Sequence, residues 1–166
     1  FDAINEKGLG MAGLNFVGYA KYHPFAEEKD NVGSFEFIPW ILSQCKTVRE
    51  AMVLLEKINL TADAFSSQLP PSQLHWIIAD REEAVTVEST SAGLKIYENP
   101  VGVLTNNPTF PMQIKNLEKY EDIFTLYFDD FTMKVMPFHY KKLNVKSRDL
   151  LEFGRVAGCD RYIKRK

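Results

Sequence analysis

The sequence has few cysteines and no long apolar run, and each shortage removes a class of protein. Its two cysteines, Cys45 and Cys159, lie far apart and match no metal-ligand spacing, so we expect free thiols of a reducing compartment. No apolar run approaches the roughly 18 residues of a membrane-spanning helix. The net charge of −2 supplies no field that would steer the chain to nucleic acid or to a membrane. No metal and no cofactor is indicated.

What the sequence does contain is the composition of a globular domain. Hydrophobic residues make up 45% and charged residues 25% of the 166 positions. Turn-forming residues between Asn5 and Gly8 predict a hairpin that leads into a strand over 9–16. The polar segment 21–34 indicates a surface loop.

Two helix starts follow this loop. Ser34 can cap a short apolar helix that ends near Cys45. Thr47 and Glu50 match a capping box, in which each side chain accepts the backbone N–H of the other, and apolar residues at helical spacing come next. The segment 59–73 contains two consecutive prolines and is predicted to be a loop.

The next part of the chain is rich in β-forming residues. Strands are predicted over 74–80, 84–89, 94–97 and 101–105, and a helix over 111–120. A meander of strands packed on helices is the natural assembly, so the fold class is α+β.

Few side chains suggest chemistry when they are taken one at a time. The glycines over 8–13 match a dinucleotide-binding motif, but the residues that follow are poor helix formers, and a close approach of strands explains them better. His75 lies in an apolar strand and is interpreted as a hydrogen-bonded core histidine rather than a partner of Cys45. Asn15 and Asn106 each end an apolar strand, where an amide could donate to an oxyanion or simply form a turn.

Four blocks of sequence, taken together, resemble one family. They occur in the order and at about the spacing found in bile salt hydrolases of the choloylglycine hydrolase family, which are similar to the N-terminal nucleophile hydrolases. The resemblance covers residues 1–120 and rests on NEKGLGMAGLNF at 5–16, FEFIPWIL at 35–42, LHW at 74–76 and VLTNNPTF at 103–110.

The resemblance implies a four-layer αββα sandwich and an amide hydrolase that acts on bile salts conjugated to glycine or taurine. It implies an N-terminal cysteine nucleophile with its own α-amine as the base, and no cofactor. By the same resemblance Asn15 and Asn106 would stabilise the oxyanion, while Phe65, Leu69 and Leu74 would line an apolar pocket for the steroid. A cytoplasmic homo-tetramer is expected, with no nucleic-acid or membrane partner.

The sequence also departs from the family pattern. Phe1 has no thiol or hydroxyl, so we expect a fragment truncated at both ends and inactive as written. Residues 121–166 form a divergent tail, and a frameshift is one hypothesis, because codons for 155–159 read one nucleotide later can spell Gly-Leu-Pro-Gly.

Two other functions stay open. A penicillin V acylase-like amidase is the first, although that subgroup tends to carry tyrosine where this chain has Asn15. The second, from another class, is a truncated paralogue without catalysis that is retained as a binding or structural domain. Hydrolysis assays with glycocholate and with penicillin V would separate the two enzymatic readings.

Overall fold

The computed structural model describes residues 2–127, and the side chains within its last helix as far as residue 118. The chain divides into two compact units, Phe1–Thr109 and a second unit that begins at Phe110. The predicted α+β class is confirmed. In chain order the elements are β1 Asp2–Ile4, β2 Gly10–Asn15, β3 Asp30–Gly33, α1 Phe37–Gln44, α2 Val48–Leu55, β4 Ile58–Thr61, β5 Leu74–Ala79, β6 Ala84–Thr90, β7 Gly93–Glu98 and α3 Phe110–Tyr127.

The first unit is built on one antiparallel sheet of five strands in the order β1-β2-β5-β6-β7. A separate parallel pair joins β3 to β4. Across residues 2–127 the five-stranded sheet is the one large sheet. In the same part of the chain, no helix has the length and apolarity needed to cross a membrane.

The predicted hairpin is confirmed, and one side chain organises it. The Oδ1 atom of Asn5 accepts from the backbone N–H groups of Lys7 and Leu9, at 3.0 and 3.1 Å. Its Nδ2 atom donates to the carbonyls of Leu42 and Cys45, at 2.9 and 2.8 Å. Asn5 therefore closes the turn between β1 and β2 and holds the carboxyl end of α1 against it.

The helix predicted after Thr47 is α2, and its cap differs from the prediction in one bond. The Thr47 side chain accepts from the N–H of Glu50 at 3.2 Å, as expected for an N-cap. The Glu50 carboxylate accepts instead from the N–H of Lys46, at 2.7 Å. A further acceptor comes from the turn after β5, where Asp80 Oδ2 lies 2.8 Å from the N–H of Val48.

Asp80 thus belongs both to the turn and to the start of α2. Burial alone would raise the pKa of this carboxyl, but hydrogen bonds from the N–H groups of Val48, Glu82 and Glu83, together with the charge of Arg49, hold its pKa below the ordinary value. The ionised carboxylate satisfies one orphan donor at the beginning of the helix and interacts favourably with the positive end of the helix dipole.

Two parts of the first half differ from the prediction. The segments 21–34 and 59–73, both predicted to be loops, contribute β3 and β4. Their polar residues are typical of a loop, but here Asn59 Nδ2 donates to Asn31 Oδ1 at 2.7 Å between the paired strands.

The cap expected from Ser34 is also wrong. Helix α1 starts after Glu36, whose carboxylate accepts from the N–H of Gly33, so the chain is still turning at Ser34.

The strand predicted over 101–105 is wrong as well, because the side chain of Asn99 folds this segment into a turn. Its Oδ1 atom accepts from the N–H of Gly102 at 2.9 Å, and its Nδ2 atom donates to the carbonyl of Val103 at 3.0 Å. Gly102 has a φ of +66°, a conformation that favours glycine. These bonds replace the ladder that a strand would need.

The two faces of the sheet bury different chemistry. Because side chains alternate along a strand, one face collects apolar residues that pack against α1 and α2. We call this the apolar face; on the central strands it consists of Met11, Leu74, Trp76, Ile78, Val85 and Val87. The opposite side, here the polar face, buries His75, Thr86 and Glu88, each with no exposed surface.

The second unit begins with α3, which confirms the helix predicted over 111–120. The predictions for Cys159, for the divergent tail beyond residue 127 and for the possible frameshift at 155–159 lie outside the described residues. The predicted boundary at residue 120 stays a prediction.

Candidate active site

The two asparagines singled out in the sequence meet at one end of the sheet. Asn15 is the last residue of β2 and pairs with Leu74, the first residue of β5. The Oδ1 atom of Asn106, which follows the turn at Asn99, accepts from the backbone N–H of Asn15 at 3.1 Å. Both asparagines are exposed. The structure therefore brings together Asn15, Asn106 and Leu74 from three separate segments.

The bond between them sets the orientation of the Asn106 amide. A backbone N–H can only donate, so the atom that faces it must be the amide oxygen. The Nδ2 donor of Asn106 is then the other arm of the amide. The next residue adds a second link, since Asn107 Nδ2 donates to the carbonyl of Val17 at 2.8 Å. Two consecutive side chains thus tie this segment to the end of β2.

A buried histidine supports the same segment from the polar face. His75 Nε2 lies 2.8 Å from the carbonyl oxygen of Thr105, and Nδ1 lies 3.1 Å from Glu88 Oε1. The imidazole also stacks on the ring of Phe16, with centroids 4.2 Å apart and planes 9° from parallel. The prediction that His75 is a hydrogen-bonded core histidine is confirmed. Both of its ring nitrogens are engaged, and neither partner is Cys45.

The three predicted pocket residues are in two different environments. Leu74 is buried, with 8% of its surface exposed. Phe65 and Leu69 are 70% and 58% exposed and lie on the segment that leads into β5. Phe65 packs edge-on against Phe35, which is also exposed, with ring centroids 5.6 Å apart. This patch offers apolar surface to solvent at the amino-terminal approach to Leu74.

One residue that positions the site was missed in the sequence. Tyr22 donates from its hydroxyl to the carbonyl of Ser72 at 2.6 Å and accepts from the N–H of Leu74 at 3.2 Å. Burial raises the pKa of Tyr22, so the hydroxyl stays protonated. It thereby fixes the start of β5 beside Asn15. A single tyrosine in a polar segment was too weak a signal to find it.

Cys45 is the one cysteine among residues 2–127, and its environment is that of a structural thiol. Burial, and secondarily the charge of Glu50, raise its pKa, which disfavours the thiolate. In that same part of the chain, His, Cys, Asp and Glu form no group of three or more that could hold a metal ion.

Similar proteins identify the family of this chain. The family model described as linear amide C–N hydrolases, choloylglycine hydrolase family, matches residues 1–140. The chain belongs to the choloylglycine hydrolase family. Over 120 residues it is 54% identical to a bile salt hydrolase/transferase of Lactiplantibacillus plantarum. It is 39% identical over 122 residues to a conjugated bile acid hydrolase of Lactobacillus gasseri.

These alignments cover 72% of this chain but only 37% and 39% of the two relatives. The chain therefore spans well under two thirds of the length of the relatives that it matches. Solved structures agree on the fold. A variant of the conjugated bile acid hydrolase from Clostridium perfringens is 29% identical, with a TM-score of 0.71 over 96% of this chain and 54% of that one. A penicillin V acylase from Agrobacterium tumefaciens, 20% identical with a TM-score of 0.65, shares the fold.

Proposed function

We propose that this chain is part of an amide hydrolase that cleaves bile salts conjugated to glycine or taurine. In this proposal Asn15 and Asn106 stabilise the oxyanion that forms when the amide carbonyl is attacked. The observation that carries it is the 3.1 Å hydrogen bond between the Asn15 N–H and Asn106 Oδ1. It supports an oriented Asn106 amide held against the end of the strand that carries Asn15, on a chain related to enzymes named for bile salts.

The chemistry asked of these amides is electrostatic. Negative charge develops on the carbonyl oxygen as the tetrahedral intermediate forms, and N–H donors already in place lower the barrier without reorganising. Cys45 does not suit the role of the attacking group, because its thiol is buried and its raised pKa disfavours the thiolate.

The substrate class is supported by exposed apolar side chains on the segment that leads into β5. Phe65, Leu69 and Phe35 expose large apolar side chains on the approach to Leu74. A rigid steroid can cover such a surface at little entropic cost, and few polar groups are needed to orient it. The likeness to penicillin V acylase is one of fold only, and no contact in this site favours that substrate. A cytoplasmic homo-tetramer stays part of the proposal.

The test is a kinetic comparison of single variants in the full product of the gene that encodes this chain. Asn15→Ala and Asn106→Ala should each lower kcat for glycocholate and taurocholate by about 100- to 1,000-fold with little change in KM. Asn107→Ala is the matched control, since it removes the hydrogen bond to the Val17 carbonyl but no proposed oxyanion donor. Its kcat should fall much less.

Two results would overturn the proposal. One is a kcat within a few-fold of the parent in both Asn15→Ala and Asn106→Ala. The other is an active parent enzyme that hydrolyses penicillin V and leaves both conjugated bile salts intact. A parent without amide hydrolysis of any kind would favour the non-catalytic alternative.

A further inference from the structure

The polar face contains a buried pair that the proposed chemistry does not use. His75 and Glu88 have no exposed surface, and they lie across from each other one position beyond the paired residues Trp76 and Val87. Burying an acid and an imidazole is unfavourable unless each finds a specific partner. Such a pair in the centre of a sheet therefore calls for a reason beyond hydrophobic burial.

The hydrogen bonds of His75 define which nitrogen carries a proton. The Thr105 carbonyl can only accept, so His75 Nε2 is the donor in the 2.8 Å contact. Nδ1 then shares one proton with Glu88 Oε1 at 3.1 Å, either as imidazolium with carboxylate or as imidazole with carboxylic acid. In both states the ring has one orientation, and the stacked Phe16 ring clamps it there.

The bond to Thr105 acts directly on the residue that follows. Three consecutive residues each form a hydrogen bond to a different partner. His75 bonds the Thr105 carbonyl. The side chains of Asn106 and Asn107 bond the backbone of Asn15 and Val17, respectively. Two of these links hold side chains, whereas the one from His75 holds the backbone just before Asn106. The direction of the Asn106 amide depends on that backbone position.

We propose that His75 is a positioning residue for Asn106. In this proposal Glu88 keeps the Nε2–H of His75 directed at the Thr105 carbonyl. This inference rests on the proposed function for its effect on rate. Loss of the bond to Thr105 lets the Asn106 amide leave its place at the end of β2. The expected kinetic signature is a lower kcat at nearly constant KM, because the bond serves the transition state and not the binding of substrate.

The decisive experiment compares two amides at one position. The terminal nitrogen of glutamine can take the place of imidazole Nε2, whereas that of asparagine reaches only as far as Nδ1. His75→Gln therefore keeps a donor for Thr105, and His75→Asn does not. Both bury a neutral amide, so a merely structural role predicts similar kinetics for the two. We expect His75→Asn to lose kcat by about 100-fold and His75→Gln to stay within a few-fold of the parent.

A second readout follows Asn106 without any catalysis. The backbone N–H of Asn15 donates to Asn106 Oδ1, so its hydrogen exchange reports whether Asn106 is in place. Exchange should accelerate in His75→Asn and not in His75→Gln. If that pattern appears but Asn15→Ala and Asn106→Ala both keep their kcat, the proposed function fails and the positioning role stands. If Asn106→Ala loses kcat while the two His75 variants behave alike, the positioning role is overturned.

A second pair of variants covers the case in which a His75 variant does not fold. Glu88→Gln can donate to Nδ1 and keeps Nε2 as the donor toward Thr105, while Glu88→Leu leaves Nδ1 without that partner. Glu88→Leu should lower kcat and accelerate exchange at Asn15, and Glu88→Gln should do neither. Equal behaviour of these two variants would also overturn the proposal.

Discussion

The two faces of the sheet achieve burial in different ways. The apolar face packs Trp76 against Phe37 at 4.9 Å between ring centroids, and among the described residues the indole N–H donates to no partner. The polar face joins His75 and Glu88 to each other and His75 to Thr105 by directed bonds. Apolar contacts stabilise many similar arrangements, whereas directed bonds select one. The polar face is the one that holds the backbone at Thr105, next to Asn106.

The largest expected effect lies on the apolar face. Trp76→Ala removes the largest fully buried side chain and should lower the free energy of unfolding by about 3–5 kcal/mol. Urea denaturation followed by circular dichroism measures this. Trp40→Ala is the control, since Trp40 is only partly buried at the edge of the same cluster, and its loss should be clearly smaller. Equal losses would mean that the apolar face does not dominate stability.

A smaller effect is expected on the polar face. Asn99→Ala removes bonds to Gly102, Val103 and the Thr86 hydroxyl, and should cost about 1–3 kcal/mol because the buried Thr86 hydroxyl and two backbone groups lose a partner. Thr86→Val, which takes away only one of these partners, should cost less. The same denaturation experiment ranks the two. A Thr86→Val loss as large as that of Asn99→Ala would contradict the account of this turn.

The smallest effect concerns pH. Burial, and then the charge of Glu88, raise the pKa of Tyr97 on the polar face. The unfolded chain releases this proton near pH 10 and the folded chain only at higher pH, so stability falls as the pH rises above about 10. Tyr97→Phe should make that fall shallower in thermal melts from about pH 9 to about pH 11. Burial also raises the pKa of Tyr22, so part of the slope should remain. An unchanged slope would show that Tyr97 does not contribute to the loss of stability at high pH.

Local signals predicted those elements whose stabilising bonds lie within a few residues. The hairpin at Asn5 and the cap at Thr47 are examples, since each depends on side chains next to the turn or helix that they begin. Strands β3 and β4 were missed because their polar residues look like loop until Asn31 and Asn59 are paired across 28 positions of sequence. The strand expected at 101–105 does not form because the Asn99 side chain bonds the backbone of Gly102 and Val103 and folds the segment into a turn.

The order of apolar and turn-forming residues determined the strands of the large sheet, helix α2 and the family to which the chain belongs. It also marked Asn15 and Asn106 as candidates, because each follows an apolar run. Only the tertiary structure decided that these asparagines meet at 3.1 Å and that His75 lies under the segment between Asn99 and Asn107. The physical reason is that hydrogen bonds between residues 30 or 91 positions apart depend on the packing of the whole sheet, which no local pattern encodes.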